Sequence, residues 1–154
     1  MLIKGTVKSK IGFYIGDICY ALPEHTYHKV WGGAHYADGK YHDDEKNGDF
    51  MVAGTAIGDG EYYDQTGRCY PVDGGNIGIV PLELVDGGSF AKIAEGLMSD
   101  PLGRFEYTPG EATFEAEDGV FDITLPDGRS VIINTADLAV DFDDDDDDFD
   151  TRYW

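Results

Sequence analysis

Positive charge is scarce in this chain. Eleven Lys and Arg stand against 31 Asp and Glu, so the formal charge is −20. Such a surface repels nucleic acid and anionic membrane, and it attracts cations and basic protein surfaces. Cysteine is nearly absent, with only Cys19 and Cys69. Two thiols make no disulfide framework, and the expectation is a cytoplasmic protein in which both are reduced and buried. No apolar run approaches the roughly 20 residues that cross a bilayer. The opening MLIKGTVKSK has no apolar signal-peptide core. Also missing are a Gly-x-Ser-x-Gly elbow, a P-loop and a dinucleotide-type glycine pattern. No cofactor is expected, and no motif argues for an enzyme.

Glycine is plentiful, at 21 of 154 residues. Six Asp-Gly pairs begin at Asp38, Asp59, Asp73, Asp86, Asp118 and Asp127. Gly accepts a positive φ and Asp tolerates one, so the pair suits tight hairpin turns. The spacing predicts a mainly β domain over residues 1–139: an antiparallel sheet, barrel or sandwich with one or two short helices. The clearest segment is 103–135, where Ala112, Phe114 and Ala116 alternate with Glu111, Glu115 and Glu117. Phe121, Ile123 and Leu125 alternate in turn with Asp122 and Thr124. Period-two alternation puts one set in the core and the carboxylates in water. The expectation there is a four-stranded meander centred on the Asp118-Gly119 hairpin.

Further strands are expected over 3–10, 11–22, 50–57, 68–72 and 77–85, with Pro81 marking an edge or a bend. Residues 34–48 and 58–67 read as loops. Pro23–Trp31 and Ser89–Met98 read as short helices, from a first-turn proline and from helical apolar spacing respectively.

The last fifteen residues, VDFDDDDDDFDTRYW, form a second region over 140–154. They hold eight Asp and one Arg, or −7 of the −20, which leaves −13 to the body. Asp143, Asp144, Asp145, Asp146, Asp147 and Asp148 are consecutive. Like charges repel and Asp forms neither helix nor strand well, so a disordered tail is expected. An extended chain advances about 3.3 Å per residue, close to the 3.4 Å phosphate spacing of one DNA strand. The Asp run therefore suits a basic groove built for phosphates, with Tyr153 and Trp154 able to stack where bases stack.

Gly16-Asp17-x-Cys19-Tyr20, the Gly58-Asp59-Gly60 loop, and Val72-Asp73-Gly74-Gly75 followed by Ile77-Gly78-x-x-Pro81 resemble a family of small bacterial and phage proteins. The likeness covers roughly residues 12–85. It implies a mobile-element origin and carries no assigned activity.

Asp17, Asp59 and Asp73 all fall in these motifs. Turns at one end of a β domain converge readily, and converging carboxylates bind divalent cations or move protons. Local turn hydrogen bonding explains each Asp equally well. His25 and His28, three apart on a helix, share a face and with His35, His42 or Cys19 could make a zinc site, but no zinc spacing such as Cys-x-x-Cys accompanies them, and a solvated helix face is the default. Cys19 with His25 is the nucleophile candidate, set in an apolar stretch where thiols are usually inert.

Three functions are compatible with these residues. One is an acidic module binding a basic or nucleic-acid-binding protein through Asp17, Asp59, Asp73 and the tail, as a phage-type inhibitor that mimics nucleic-acid charge. Another is a structural or housekeeping module whose acidity maintains solubility. The third is an enzyme handling a metal or small ligand at Asp17, Asp59 and Asp73.

Overall fold

The computed structural model describes residues 2–23, 25–85 and 103–136. The expected helix over 89–98 and the acidic tail lie outside them. Eleven strands occur in the described residues: β1 (Leu2–Ser9), β2 (Phe13–Gly16), β3 (Gly39–Asp43), β4 (Gly48–Gly54), β5 (Gly60–Tyr63), β6 (Cys69–Val72), β7 (Asn76–Pro81), β8 (Gly103–Glu106), β9 (Gly110–Glu117), β10 (Val120–Thr124) and β11 (Ser130–Asn134). All pairings are antiparallel. One sheet runs β1-β9-β10-β11, a second runs β3-β4-β7-β2-β8, and β5-β6 is a separate hairpin. The two larger sheets share a core as a sandwich, and among the described residues no sheet closes into a barrel.

The four-stranded sheet has one buried face. Ala112, Phe114, Ala116, Phe121, Ile123, Val131 and Ile133 enter the core, and the residues between them face outward. The β9–β10 hairpin turns in two residues, with Asp118 at φ 52° and Gly119 at φ 83°, as the Asp-Gly pair predicts. The meander, however, has three strands. β8 leaves it to pair with β2, while β1 takes the place beside β9. Pro109 has no N–H to continue a ladder, and the chain changes sheets across it.

The five-stranded sheet is buried on both faces. Phe13, Ile15, Met51, Ala53, Ile77 and Ile79 face the sandwich core. Tyr14, Phe50, Val52 and Val80 face a second core closed by Ile18, Leu22, Trp31, Leu82 and Leu84. The covering segment includes a six-residue π-type helix, Thr26–Trp31, within the stretch expected to be helical. Two segments expected as loops contain strands, β3 and β5. The expected strand over 11–22 ends at Gly16 and passes into a 3-10 turn, Ile18–Tyr20. Pro81 ends β7, but β7 sits between β4 and β2 rather than at an edge. The proline's missing donor falls at the strand's last residue, where the chain bends into the Leu82–Leu84 turn.

Gly78 lies where sheet and second core meet. A Cβ there would stand 2.4 Å from the Met51 carbonyl oxygen and 2.7 Å from Ile18 Cγ2. The β5–β6 hairpin is tied on by Asp64, whose side chain is fully buried. It accepts from the Thr66 amide at 2.8 Å, the Thr66 hydroxyl at 2.6 Å, the Arg68 amide at 3.1 Å and the Tyr70 hydroxyl at 2.8 Å. Arg104 approaches the same carboxylate at 3.3 Å and also binds Glu106. Gln65 caps the outer edge of β11 through the Ser130 carbonyl and the Ile132 amide. Burial opposes ionisation of Asp64, yet the Thr66 and Tyr70 hydroxyls and the Thr66 and Arg68 amides outweigh it. Its carboxyl is held below the ordinary 3.8. No helix among the described residues is long and apolar enough to cross a membrane.

Two predictions concern this frame. Gly78→Ala should lower unfolding free energy in urea by roughly 2–3 kcal/mol, because its new methyl meets backbone. Gly33→Ala, with nothing within 4 Å of its Cβ, should be neutral or stabilise by up to about 1 kcal/mol. For Asp64, a depressed folded-state pKa gives stability that is full above the unfolded value and is lost as pH falls through the folded one. The urea stability gap between wild type and Asp64→Asn should therefore be constant, at about 2 kcal/mol, above about pH 5 and shrink below about pH 4.

Candidate functional site

The three motif loops meet at one end of the sandwich. β2 ends there at Gly16-Asp17, β7 begins there after Asp73-Gly74-Gly75, and β5 begins there after Gly58-Asp59. Asp17 is fully buried and organises the junction. Its Oδ1 accepts from the Cys19 amide at 2.9 Å, and its Oδ2 accepts from the Asp73 amide at 2.6 Å and the Gly74 amide at 2.7 Å. Asn76 adds a second tie, accepting from the Ile18 amide at 3.1 Å. Thr55 donates its amide to the Gly75 carbonyl at 3.0 Å, which brings in the end of β4. Gly75 has φ 73°, and a Cβ on it would lie 3.8 Å from Asp59 Oδ1. Asp17, Asp59 and Asp73 are thus neighbours, although Asp17 faces inward while Asp59 and Asp73 are exposed.

Other exposed carboxylates join this end. Asp38 accepts from the Gly54 amide at 3.0 Å, and the β9–β10 turn contributes Glu117 and Asp118. Asp38, Glu117 and Asp118 line one 440 Å³ cleft with Thr55 and Ala56. Sequence reading singled out neither Asp38 nor Glu117 for this site. Their signal was present only as one more Asp-Gly pair and as the outward phase of β9.

The chemistry of Cys19 follows from these neighbours. Cys19 and Cys69 are not joined in a disulfide, and both are half-exposed rather than buried. Burial first, then the Asp17 carboxylate, then Asp73 and Asp59, push the Cys19 thiol far up. A reactive cysteine needs the opposite shift. Tyr20 and Tyr27 beside it are pushed up to about 12, by burial first and then by Cys19 and Asp17, with Asp73 and Asp59 adding to the effect on Tyr20. The phenols stay protonated donors at neutral pH.

His25 pairs with Glu45 at 3.6 Å, and His28 lies 3.3 Å from the Tyr36 hydroxyl. His42 contacts Asp49 at 2.7 Å and Asp44 at 3.4 Å. Among the described residues, no three His, Cys, Asp or Glu side chains are grouped to hold a metal ion. The three amides on Asp17 occupy its carboxylate, so its role is to anchor loops. Asp143 to Asp148, Tyr153 and Trp154 lie outside the described residues. The chain leaves these residues at this same end, where Thr135 donates its amide to the Gly119 carbonyl at 2.9 Å and accepts from the Ala56 amide at 2.9 Å.

Comparison with models of known families, with curated proteins and with solved structures returned no match. The motif likeness therefore stands on its three short segments alone.

The anchor role separates the three acids. Asp17→Ala leaves three amides without their acceptor and should cost on the order of 3 kcal/mol in urea unfolding. Asp59→Asn and Asp73→Asn, whose side chains are exposed, should each stay within about 0.5 kcal/mol of wild type.

Proposed function

We propose that this chain is a cytoplasmic acidic protein-binding module. It engages a basic surface on a nucleic-acid-binding protein and stands in for phosphate charge there, as a phage-type inhibitor would. The observation that supports this reading most directly is the gathering of exposed carboxylates at one end of the sandwich. Asp38, Asp59, Asp73, Glu117 and Asp118 come from separate stretches of sequence and face solvent together. The segment carrying the six-Asp run leaves the described residues at that end. Carboxylates collected this way raise the field beyond what scattered surface acids produce, steer encounter with a basic groove and reject acidic partners. Asp17 supplies rigidity, so the exposed acids are held before a partner arrives, which lowers the ordering cost of binding.

Affinity capture from host lysate tests the reading, comparing the full chain with one lacking residues 141–154. The expected result is a nucleic-acid-binding protein held with micromolar or tighter affinity. Double-stranded DNA should compete it away, and affinity should fall about tenfold or more between 50 and 200 mM salt. A combined Asp38→Asn, Asp59→Asn, Asp73→Asn, Asp118→Asn variant should lose most of that binding. Recovery of no basic partner, or binding indifferent to salt and to these changes, would overturn the reading.

A further inference from the structure

The helix Thr26–Trp31 ends in an aromatic turn. The residues after it close in a Schellman arrangement. The Tyr36 amide donates to the Trp31 carbonyl at 3.0 Å, and the His35 amide donates to the Gly32 carbonyl at 2.9 Å. That closure calls for one left-handed residue, and His35 supplies it at φ 60°. Tyr36 follows at φ 56°, a second positive φ, on a bulky side chain, that the closure does not require. Its effect is to lay the Tyr36 ring back over Gly32, where a Cβ would stand 2.9 Å from the Tyr36 hydroxyl. The ring meets Trp31 edge-on at 5.1 Å and Tyr27 at 6.0 Å, and its hydroxyl lies 3.3 Å from His28 Nδ1. Trp31 is buried, yet Tyr36 keeps 48% of its surface in water. One side of the ring is seated and the other is bare, which is the form of an aromatic anchor at a protein interface.

Tyr27 joins this aromatic face to the acidic end. Its ring packs on Trp31 at 5.2 Å, and its hydroxyl borders the Asp73-Gly74 turn, 3.2 Å from where a Gly74 Cβ would stand. Tyr20 adds a third, half-buried phenol there, within the field of Asp73, Asp17 and Asp59. Asp59 and Asp73 are exposed and, among the described residues, make no ion pair. Asp38, Asp59 and Asp73 outnumber Lys29, the one Lys or Arg of residues 25–38. The face therefore combines bare phenol rings with uncompensated carboxylates, and its charge selects a cation.

We infer that this face reads arginine: a guanidinium of the basic partner stacks on the bare side of Tyr36, and the Asp59 and Asp73 carboxylates beside Tyr20 and Tyr27 accept N–H bonds from a neighbouring one. Both halves of the site suit that group better than an ammonium. A guanidinium is planar and weakly hydrated, so it loses little on stacking against a ring, and its fork of donors matches a carboxylate. A lysine amine is a compact, strongly hydrated charge that gains mainly from the carboxylates. Tyr36 is held in place before a partner arrives, so stacking on it orders little that is loose. This names the side chain taken from the partner and in that respect rests on the binding reading above.

Titration of the full chain with an oligoarginine and an oligolysine peptide of equal length, at physiological salt, tests it. The expected result is that the arginine peptide binds about fivefold more tightly, the gain of one exposed stacking contact. The ring-proton signals of Tyr36 and Tyr27 should shift with the arginine peptide and hardly move with the lysine one. Tyr36→Leu should bring the two affinities within about twofold by weakening the arginine peptide alone, whereas Tyr36→Phe, which keeps the ring, should retain the preference. Asp59→Asn with Asp73→Asn should weaken both peptides. Equal affinity of the two peptides for the wild-type chain would overturn the inference. So would Tyr36 and Tyr27 ring signals that ignore the arginine peptide, or an arginine preference that survives Tyr36→Leu. The first and last of these concern only how a cation is chosen, and capture of a basic partner through charge alone would stand. Failure to capture such a partner from lysate would in turn leave the measured arginine preference in place, so the two readings fail separately.

Discussion

Burial of the five-stranded sheet on both faces is the constraint around which the remaining elements are arranged. β7 lies at its centre, and all six of its residues are out of water. One face needs the four-stranded sheet and the other needs the segment from Ile18 to Trp31. The layers approach closely enough that Gly78 has no room for a methyl group. Layers this close leave no slack, so the loops linking them must be fixed as well.

Asp17 shows how that fixing is done by hydrogen bonds to one buried carboxylate. One buried carboxylate gathers amides from its own turn and from the Asp73-Gly74 turn. A buried charge is costly unless fully hydrogen-bonded, and here three short amide bonds meet that cost. Asp64 repeats the device at the β5–β6 hairpin, with two hydroxyls and an arginine added. Both acids belong to the interior, and the −20 of the chain is therefore two populations. Among the described residues, a few carboxylates hold the fold, while the exposed ones give the surface its field. The further consequence is positional: the exposed acids sit on loops whose geometry the buried acid sets.

How much was legible in advance varied by layer. The three-stranded meander β9-β10-β11 announced itself, because one wet face gives strict alternation, and the Asp118-Gly119 turn was where the pair placed it, but the place of β1 beside β9 was not legible. The five-stranded sheet did not announce itself, since strands such as Phe13–Gly16 are apolar on both faces and lose the period-two signal. β3 was hidden for a different reason: Gly39–Asp43 reads as polar because it is an edge strand with one half-exposed face. β8 was assigned to the wrong sheet, since pairing with β2 is a contact about ninety residues away that no local pattern encodes. For the site, the three Asp-Gly motifs were visible and so was the idea that such turns meet. What could not be read was which carboxylate turns inward.

The sequence alone determined the class of fold, the tight turns and the sign of the surface, because these depend on residue type and on spacing over a few positions. Only the tertiary structure decided that Asp17 is an anchor while Asp59 and Asp73 face water, and that Cys19 lies among carboxylates and holds its proton. It alone set the half-bare ring of Tyr36 against Tyr27, beside the Asp73-Gly74 turn. Those outcomes depend on which distant segments pack together, and burial and charge–charge energies fall off over a few ångströms in space rather than over positions in the chain.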